Sequence, residues 1–142
     1  MYNTKNKTNN ANEVLLIITL ILLFSCNVFA QKTNRMIRIS EIEIDSNYLE
    51  EYKAILKEES SASVKLEPGV ISIYPMYQKQ HPTEVRILEI YANKEAYESH
   101  LKTPHFQTYK TTTLKMVKSL KLIDMEAIDS ESMPAIFLKL KE

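Results

Sequence analysis

The sequence predicts an α+β domain in which one layer of helices covers one face of an antiparallel sheet. Three observations carry this. Apolar residues recur with the period of a strand in four separate segments. Two helical stretches with capping residues lie between them. The resulting order is strand–helix–strand–strand–helix–strand.

The first strand is Met36 to Ile44, M-I-R-I-S-E-I-E-I. Its apolar phase slips: Ile37 and Ile39 share one register, Ile42 and Ile44 the other. Either both faces are covered at its start, or it carries a bulge near Ser40. Asp45-Ser46-Asn47 supplies helix-capping chemistry. A helix follows from Tyr48 to about Leu66. Leu49, Tyr52, Ile55, Leu56 and Ala62 or Ser63 form its apolar stripe, with Glu50, Lys53, Lys57 and Glu58 opposite. Glu67-Pro68-Gly69 ends it: proline cannot continue a helix, and glycine permits a reversal.

Val70 to Lys79 reads as the second strand, at an edge or bulged from Pro75 onward because proline lacks an N–H. Gln80 to Thr83 is a loop. Glu84 to Tyr91 is the third strand; apolar residues in both phases over Ile87–Tyr91 predict cover on both faces. Asn93 caps a short helix, Lys94 to Leu101. Thr103 and Pro104 start another, with threonine as cap and proline in the first helical position. Phe106, Tyr109, Thr113, Met116 or Val117, and Leu120 follow helical spacing. Leu120 to Ile128 is the fourth strand. This βαββαβ order is that of ferredoxin-like folds. Two-sided cover of the third strand implies a second sheet against the first, hence a dimeric α/β barrel. The domain spans residues 31–128. Residues 129–142 form a C-terminal tail whose Ala135–Leu140 is apolar enough to pair or pack, and it is assigned to the partner subunit.

The first thirty residues stand apart. Lys5 and Lys7 precede an apolar run, Val14 to Phe24, that is short for a membrane span. Val28-Phe29-Ala30 follows. This is the plan of a secretory signal peptide cut after Ala30, and it predicts an exported protein, periplasmic or secreted. Leu23-Phe24-Ser25-Cys26 resembles a lipoprotein lipobox, so the alternative is a lipid anchor at Cys26, the only route to a membrane. Cys26 is the single cysteine, so the exported domain uses neither disulfides nor thiolate chemistry.

The 142-residue chain has 18 basic and 18 acidic side chains, one glycine and five prolines. Balanced charge without long like-charge runs argues against a nucleic-acid partner. One glycine excludes a dinucleotide fingerprint, and no Gly-x-Ser-x-Gly elbow is present. There is no His pair at i, i+4 and no Cys/His cluster. His100 and His105, five apart across a helix break, are a weak spacing for ligands, so no metal site is expected.

The residues from Glu89 to Tyr109 concentrate the chemistry. His100 shares an apolar face with Ala96 and Tyr97: it is a core histidine or a pocket residue. His105 lies in the first turn of a helix, where the dipole disfavours the imidazolium. It is a solvated histidine or a neutral base. Glu89, on a two-sided strand, pairs with a cation such as Arg86 or Arg38, or is protonated beside a pocket. Tyr74, Tyr91, Tyr97 and Tyr109 frame an aromatic ligand or fill a core.

The stretch E-I-Y-A-N-K-E-A-Y-E-S-H-L-K-T-P-H-F-Q-T-Y, with E-P-G-V-I-S-I-Y at Glu67–Tyr74, resembles the antibiotic biosynthesis monooxygenase family over roughly Met36 to Ile128. The resemblance implies a ferredoxin-like homodimer with a pocket between sheet and helices. The family includes quinol monooxygenases, oxygenases of aromatic polyketides, haem-degrading enzymes and an isomerase of a signalling sugar. Its oxygenases use no metal, flavin or haem; a deprotonated electron-rich phenol passes an electron to O₂ directly. Carried over, His100 and His105 of H-x-x-x-x-H-F become catalytic. Glu89, Tyr91, Tyr74, Tyr97, Phe106 and Tyr109 become substrate-binding. Haem-degrading relatives carry a tryptophan where this chain has Tyr91, and an iron-binding histidine near Tyr109 or Lys110; this chain has neither. The expected function is a cofactor-independent monooxygenase acting on a quinol or another electron-rich aromatic with O₂. The alternative is a non-catalytic ligand-binding or stress-related barrel. An isomerase of a phosphorylated metabolite would need a cationic pocket, and no basic cluster builds one.

Overall fold

The computed structural model describes residues 34–130 and 132–140. The expected signal segment 1–30, with Cys26, lies outside the described residues. The strands are β1 (Met36–Ile44), β2 (Val70–Tyr77), β3 (Glu84–Tyr91) and β4 (Val117–Met125). The helices are α1 (Leu49–Leu66), α2 (Lys94–His100), α3 (Pro104–Thr113) and α4 (Ser132–Lys139), with single 3₁₀ turns at Ser46–Tyr48 and Leu114–Met116. The sheet order is β2-β3-β1-β4, and every pairing is antiparallel. The α+β, ferredoxin-like architecture expected from the sequence is the observed one.

Pleating sorts the side chains. Arg38, Ser40, Ile42 and Ile44 of β1 are buried and face the helices. The first three pair through the register with Glu89, Ile87 and Val85 of β3. The apparent phase slip in β1 therefore has a simple cause: two polar residues occupy the inner face where apolar ones were expected. The irregularity lies between Glu43 and Ile44, not near Ser40. Ile42, Ile44, Tyr52, Leu56, Val85 and Tyr91 anchor the core between α1 and the sheet. Each such buried side chain contributes about 1.5–3 kcal/mol relative to exposure.

β2 is an edge strand, as Pro75 required. Its irregularity falls earlier, however, between Val70 and Ser72, where the register advances two residues against one on β3. The extra residue inverts the alternation. Val70 and then Ile73 are buried, and Tyr74 is turned to the other face beside Leu88, where it is 61% exposed. On that second face Ile90 is buried, but Met76 and Met125 are exposed. The two-sided cover expected for β3 is thus only partial within one chain.

The fourth strand begins at Val117, three residues before the expected Leu120, because α3 stops at Thr113 and a 3₁₀ turn finishes the descent. The tail forms the helix α4, whose Ile136 and Leu138 are exposed. Among the described residues, no helix is long and apolar enough to cross a membrane.

Gly69 was expected to supply a reversal. No described residue has positive φ, so the turn does not need glycine for that reason. The reason is space: a Cβ on Gly69 would lie 2.5 Å from the Ala96 Cβ of α2.

Candidate functional site

The corner where α1 ends and α2 gives way to α3 collects the polar groups. Asn93 caps α2 by accepting from the Ala96 N–H at 2.8 Å. Thr103 caps α3, accepting from the Phe106 N–H at 3.4 Å, and Pro104 occupies the first turn. The Thr103 hydroxyl donates to the His100 carbonyl at 2.8 Å. One threonine therefore fixes the end of one helix and the start of the next. Both histidines are thereby turned toward Glu67, the residue that closes α1 by donating its N–H to the Ser63 carbonyl at 3.1 Å.

Glu67 Oε1 lies 3.0 Å from His100 Nδ1 and 2.6 Å from His105 Nε2. Burial opposes the Glu67 carboxylate, but the hydrogen bonds from the two imidazoles outweigh it, and its pKa falls below the usual carboxylate value. An ionised carboxylate accepts only. His100 Nδ1 and His105 Nε2 are therefore the N–H positions. Thr103 Oγ1, 3.2 Å from His105 Nε2, has given its proton to the His100 carbonyl and agrees with that tautomer. In the neutral rings, the lone pairs fall on His100 Nε2 and His105 Nδ1.

The rings differ in access. His100 is 2% exposed, whereas the His105 side chain is 21% exposed. Phe106 packs on His100 at 4.6 Å between ring centroids, and Tyr91 at 5.6 Å. Behind His100, Nε2 is 3.8 Å from Glu59 Oε1, which accepts from the Ser63 hydroxyl at 2.8 Å. Burial pushes the Glu59 carboxyl up, against the downward pull of Ser63 and the histidines.

A second cluster adjoins the first through Tyr91. The Tyr91 hydroxyl donates to Glu89 Oε2 at 2.9 Å, and the Ser40 hydroxyl donates to Glu89 Oε1. Neither expected cation takes Glu89. Arg38 pairs with Asp124 at 2.7 Å, and Arg86 with Glu41 and Glu84. The Tyr97 ring lies edge-on to Tyr91 at 5.3 Å and under the Arg38 guanidinium at 4.6 Å. Burial, reinforced by Glu89, raises the Tyr91 phenol well above its ordinary pKa. Tyr109 shares a hydroxyl contact of 2.7 Å with Tyr52, and burial pushes its pKa up to about 12.

The structure thus gathers His100, His105, Phe106, Glu89, Tyr91 and Tyr97 on the helix side of the sheet, with Tyr109 one ring beyond Phe106. It sends Tyr74 to the other face. Two carboxylates were not singled out from the sequence. In the sequence Glu67 is a helix stop and the first residue of the Glu67–Tyr74 motif, and nothing there assigns it chemistry. Glu59 continues the stripe Tyr52–Leu56–Glu59–Ser63, all buried, and a carboxylate on a core stripe was the available signal. The histidine spacing also misled: the helix break folds both rings onto one oxygen. Glu67, His100 and His105 form a group whose ligand atoms all lie within 4.8 Å of one another.

Comparison with known proteins bears on the family and the fold. A profile of antibiotic biosynthesis monooxygenases matches residues 35–112. The chain belongs to that family. A candidate antibiotic biosynthesis monooxygenase of Bacteroides thetaiotaomicron, solved by crystallography, is 52% identical, with a TM-score of 0.67 over 68% of this chain and 91% of that one. A candidate monooxygenase of Lactobacillus acidophilus is 32% identical, with a TM-score of 0.65, over 67% of this chain and 45% of that longer one. A further candidate from Nitrosomonas europaea shares the fold at 17% identity, with a TM-score of 0.65 over 70% of this chain and 95% of its own. No curated protein matches the chain.

Proposed function

We propose that this family member is an oxygenase of the quinol-monooxygenase type. It converts a hydroquinone or another electron-rich aromatic with O₂, and the reaction itself needs no bound flavin, haem or metal. A hydroquinone and O₂ give a hydroxyquinone and water, so no outside reductant is required.

The carrying observation is the grip of Glu67 on both imidazoles. It orients them as N–H donors and leaves the lone pair of the more accessible ring, at His105 Nδ1, to accept the phenolic proton. The phenolate then passes an electron to O₂. Phe106, Tyr91 and Tyr97 supply aromatic surface for the ring. Glu89 accepts from the Tyr91 and Ser40 hydroxyls and so holds the Tyr91 ring in place.

The test is oxygen uptake by the purified protein across a hydroquinone panel. His105→Ala should lower turnover by roughly 10²–10⁴-fold, the usual span for a general base. Uptake unchanged in both His105→Ala and His100→Ala would refute the assignment.

A non-catalytic ligand-binding barrel is the second reading. It is favoured by the deep burial of His100 and by the satisfaction of buried polar side-chain atoms among the described residues. A bound aromatic making no contact with His105, together with no oxygen uptake, would select it.

We further propose that the second sheet face, with Tyr74, Met76 and Met125, pairs with a second copy. Sedimentation of the protein as a monomer at micromolar concentration would contradict this. Export follows from residues 1–30 under the same reading, with cleavage after Ala30 or lipid attachment at Cys26. N-terminal sequencing of the processed protein separates the two.

A further inference from the structure

The Glu67–His100–His105 cluster has a property that proton transfer alone does not use. Two nitrogens and one carboxylate oxygen converge within 4.8 Å, and the oxygen is 3.0 and 2.6 Å from the two nitrogens. A metal ion with bonds of about 2.0–2.2 Å holds neighbouring ligands about 3 Å apart. The carboxylate–nitrogen separations are already close to that. Thr103 stiffens the arrangement, since its hydroxyl reaches both the His100 carbonyl and the His105 ring.

A second observation points the same way. Histidines that bind metals almost always give their other ring N–H to a carboxylate or carbonyl. The other nitrogen of His100, Nε2, faces Glu59 Oε1 at 3.8 Å, and both residues are buried. Ser63 holds that carboxyl in place at 2.8 Å. In the hydrogen-bonded triad, Nε2 carries the lone pair, and at 3.8 Å no hydrogen bond joins it to that carboxyl. With a cation on Nδ1, the ring proton moves to Nε2 and meets that oxygen.

We infer that Glu67, His100 and His105 form a site for a divalent first-row transition metal ion, with Glu59 as the outer carboxylate behind His100. Two imidazoles and one carboxylate suit Zn²⁺, Fe²⁺ or Co²⁺ rather than the oxygen-seeking Mg²⁺ and Ca²⁺. Three protein ligands leave coordination positions open, and the partial exposure of Glu67 and His105 provides the entry path.

Occupancy has a consequence that rests on the oxygenase reading. The metal takes the lone pair at His105 Nε2, so the single ring proton moves to Nδ1. The lone pair proposed to accept the phenolic proton is then gone. The same three residues would bind the metal and silence the base.

The experiment is a Co²⁺ titration of the purified, chelator-treated protein, followed by visible d–d absorption and by melting temperature. One Co²⁺ per chain, displaced by Zn²⁺, is expected. Glu67→Gln and His105→Gln should each weaken binding by at least tenfold, and Tyr74→Phe should leave it unchanged. His105→Gln alters a partly exposed side chain, so it keeps the test decisive if a buried variant misfolds. Absence of a Co²⁺ band, or a band insensitive to both triad variants, overturns the site. Oxygen uptake by the chelated protein is measured separately. Binding without any uptake upholds the metal site and removes the oxygenase reading, whereas uptake without binding does the reverse.

Discussion

Two ends of the molecule handle their surfaces in opposite ways. At the corner joining α1, α2 and α3, polar side chains are buried and matched to one another, down to a carboxylate oxygen shared by two imidazoles. Around β4 and α4 the order is reversed. Leu120 and Leu122 lie 58% and 48% exposed beside Ile42 and Ser40 of β1, and Ile136, Phe137 and Leu138 of α4 are exposed. Buried polar groups need partners in fixed geometry, so the first end is specified atom by atom. Exposed apolar groups need only cover, so the second end is specified by area. Chemistry is expected at the first end and contact at the second.

The contrast can be broken by removing the shared acceptor. Glu67→Ala leaves two imidazole donors at the site without their oxygen. A loss on the order of 3 kcal/mol is expected in urea unfolding. Leu122→Ala, at the other end, should cost under about 1 kcal/mol in the isolated chain, because its side chain is already half in water. Equal losses at the two positions would erase the distinction.

The next effect concerns alkaline pH. The folded-state pKa of Tyr109 is raised from 10.0 to about 12, and burial is the largest cause. A raised pKa means that the folded chain holds the proton more tightly than the unfolded one. Its contribution is complete below pH 10 and is lost as pH rises from 10 toward 12. The urea midpoint should fall across that window, and it should fall less steeply in Tyr109→Phe. A parallel decline in both proteins would show that the Tyr52–Tyr109 pair is not the cause.

The smallest expected effect is at Asp124. Its carboxylate is largely exposed although it holds Arg38 at 2.7 Å. Asp124→Asn should change stability by less than about 1 kcal/mol, since solvent screens such a pair and the Tyr97 ring still covers the guanidinium. A larger loss would mean that the polar matching of the first end extends as far as β4.

The fold was largely legible because its signals are local. The Thr103-Pro104 start and the Asn93 cap each act within a few residues, and each appears where the sequence placed it. The site was legible only in half. His100 and His105 announce themselves by residue type. Glu67 stands 33 and 38 positions away from them, and only tertiary structure brings it near. Tyr74 failed for a related reason: one extra residue after Val70 inverts the faces of a whole strand, and no residue type marks that insertion. The tail was ambiguous because a short apolar run fits a strand or a helix equally well.

Gly69 gives the corner its scale. It stands two residues after Glu67, and its contact, Ala96, stands one helical turn before His100. The absent methyl group lets the two backbones meet, and the Gly69 carbonyl accepts the Ala92 N–H at 2.8 Å. The gap across which Glu67 reaches His100 is therefore measured by main chain against main chain. A single carbon added there acts as a spacer in a gauge: it would push the α2 helix outward and lengthen the reach from acceptor to donor, without touching either of them.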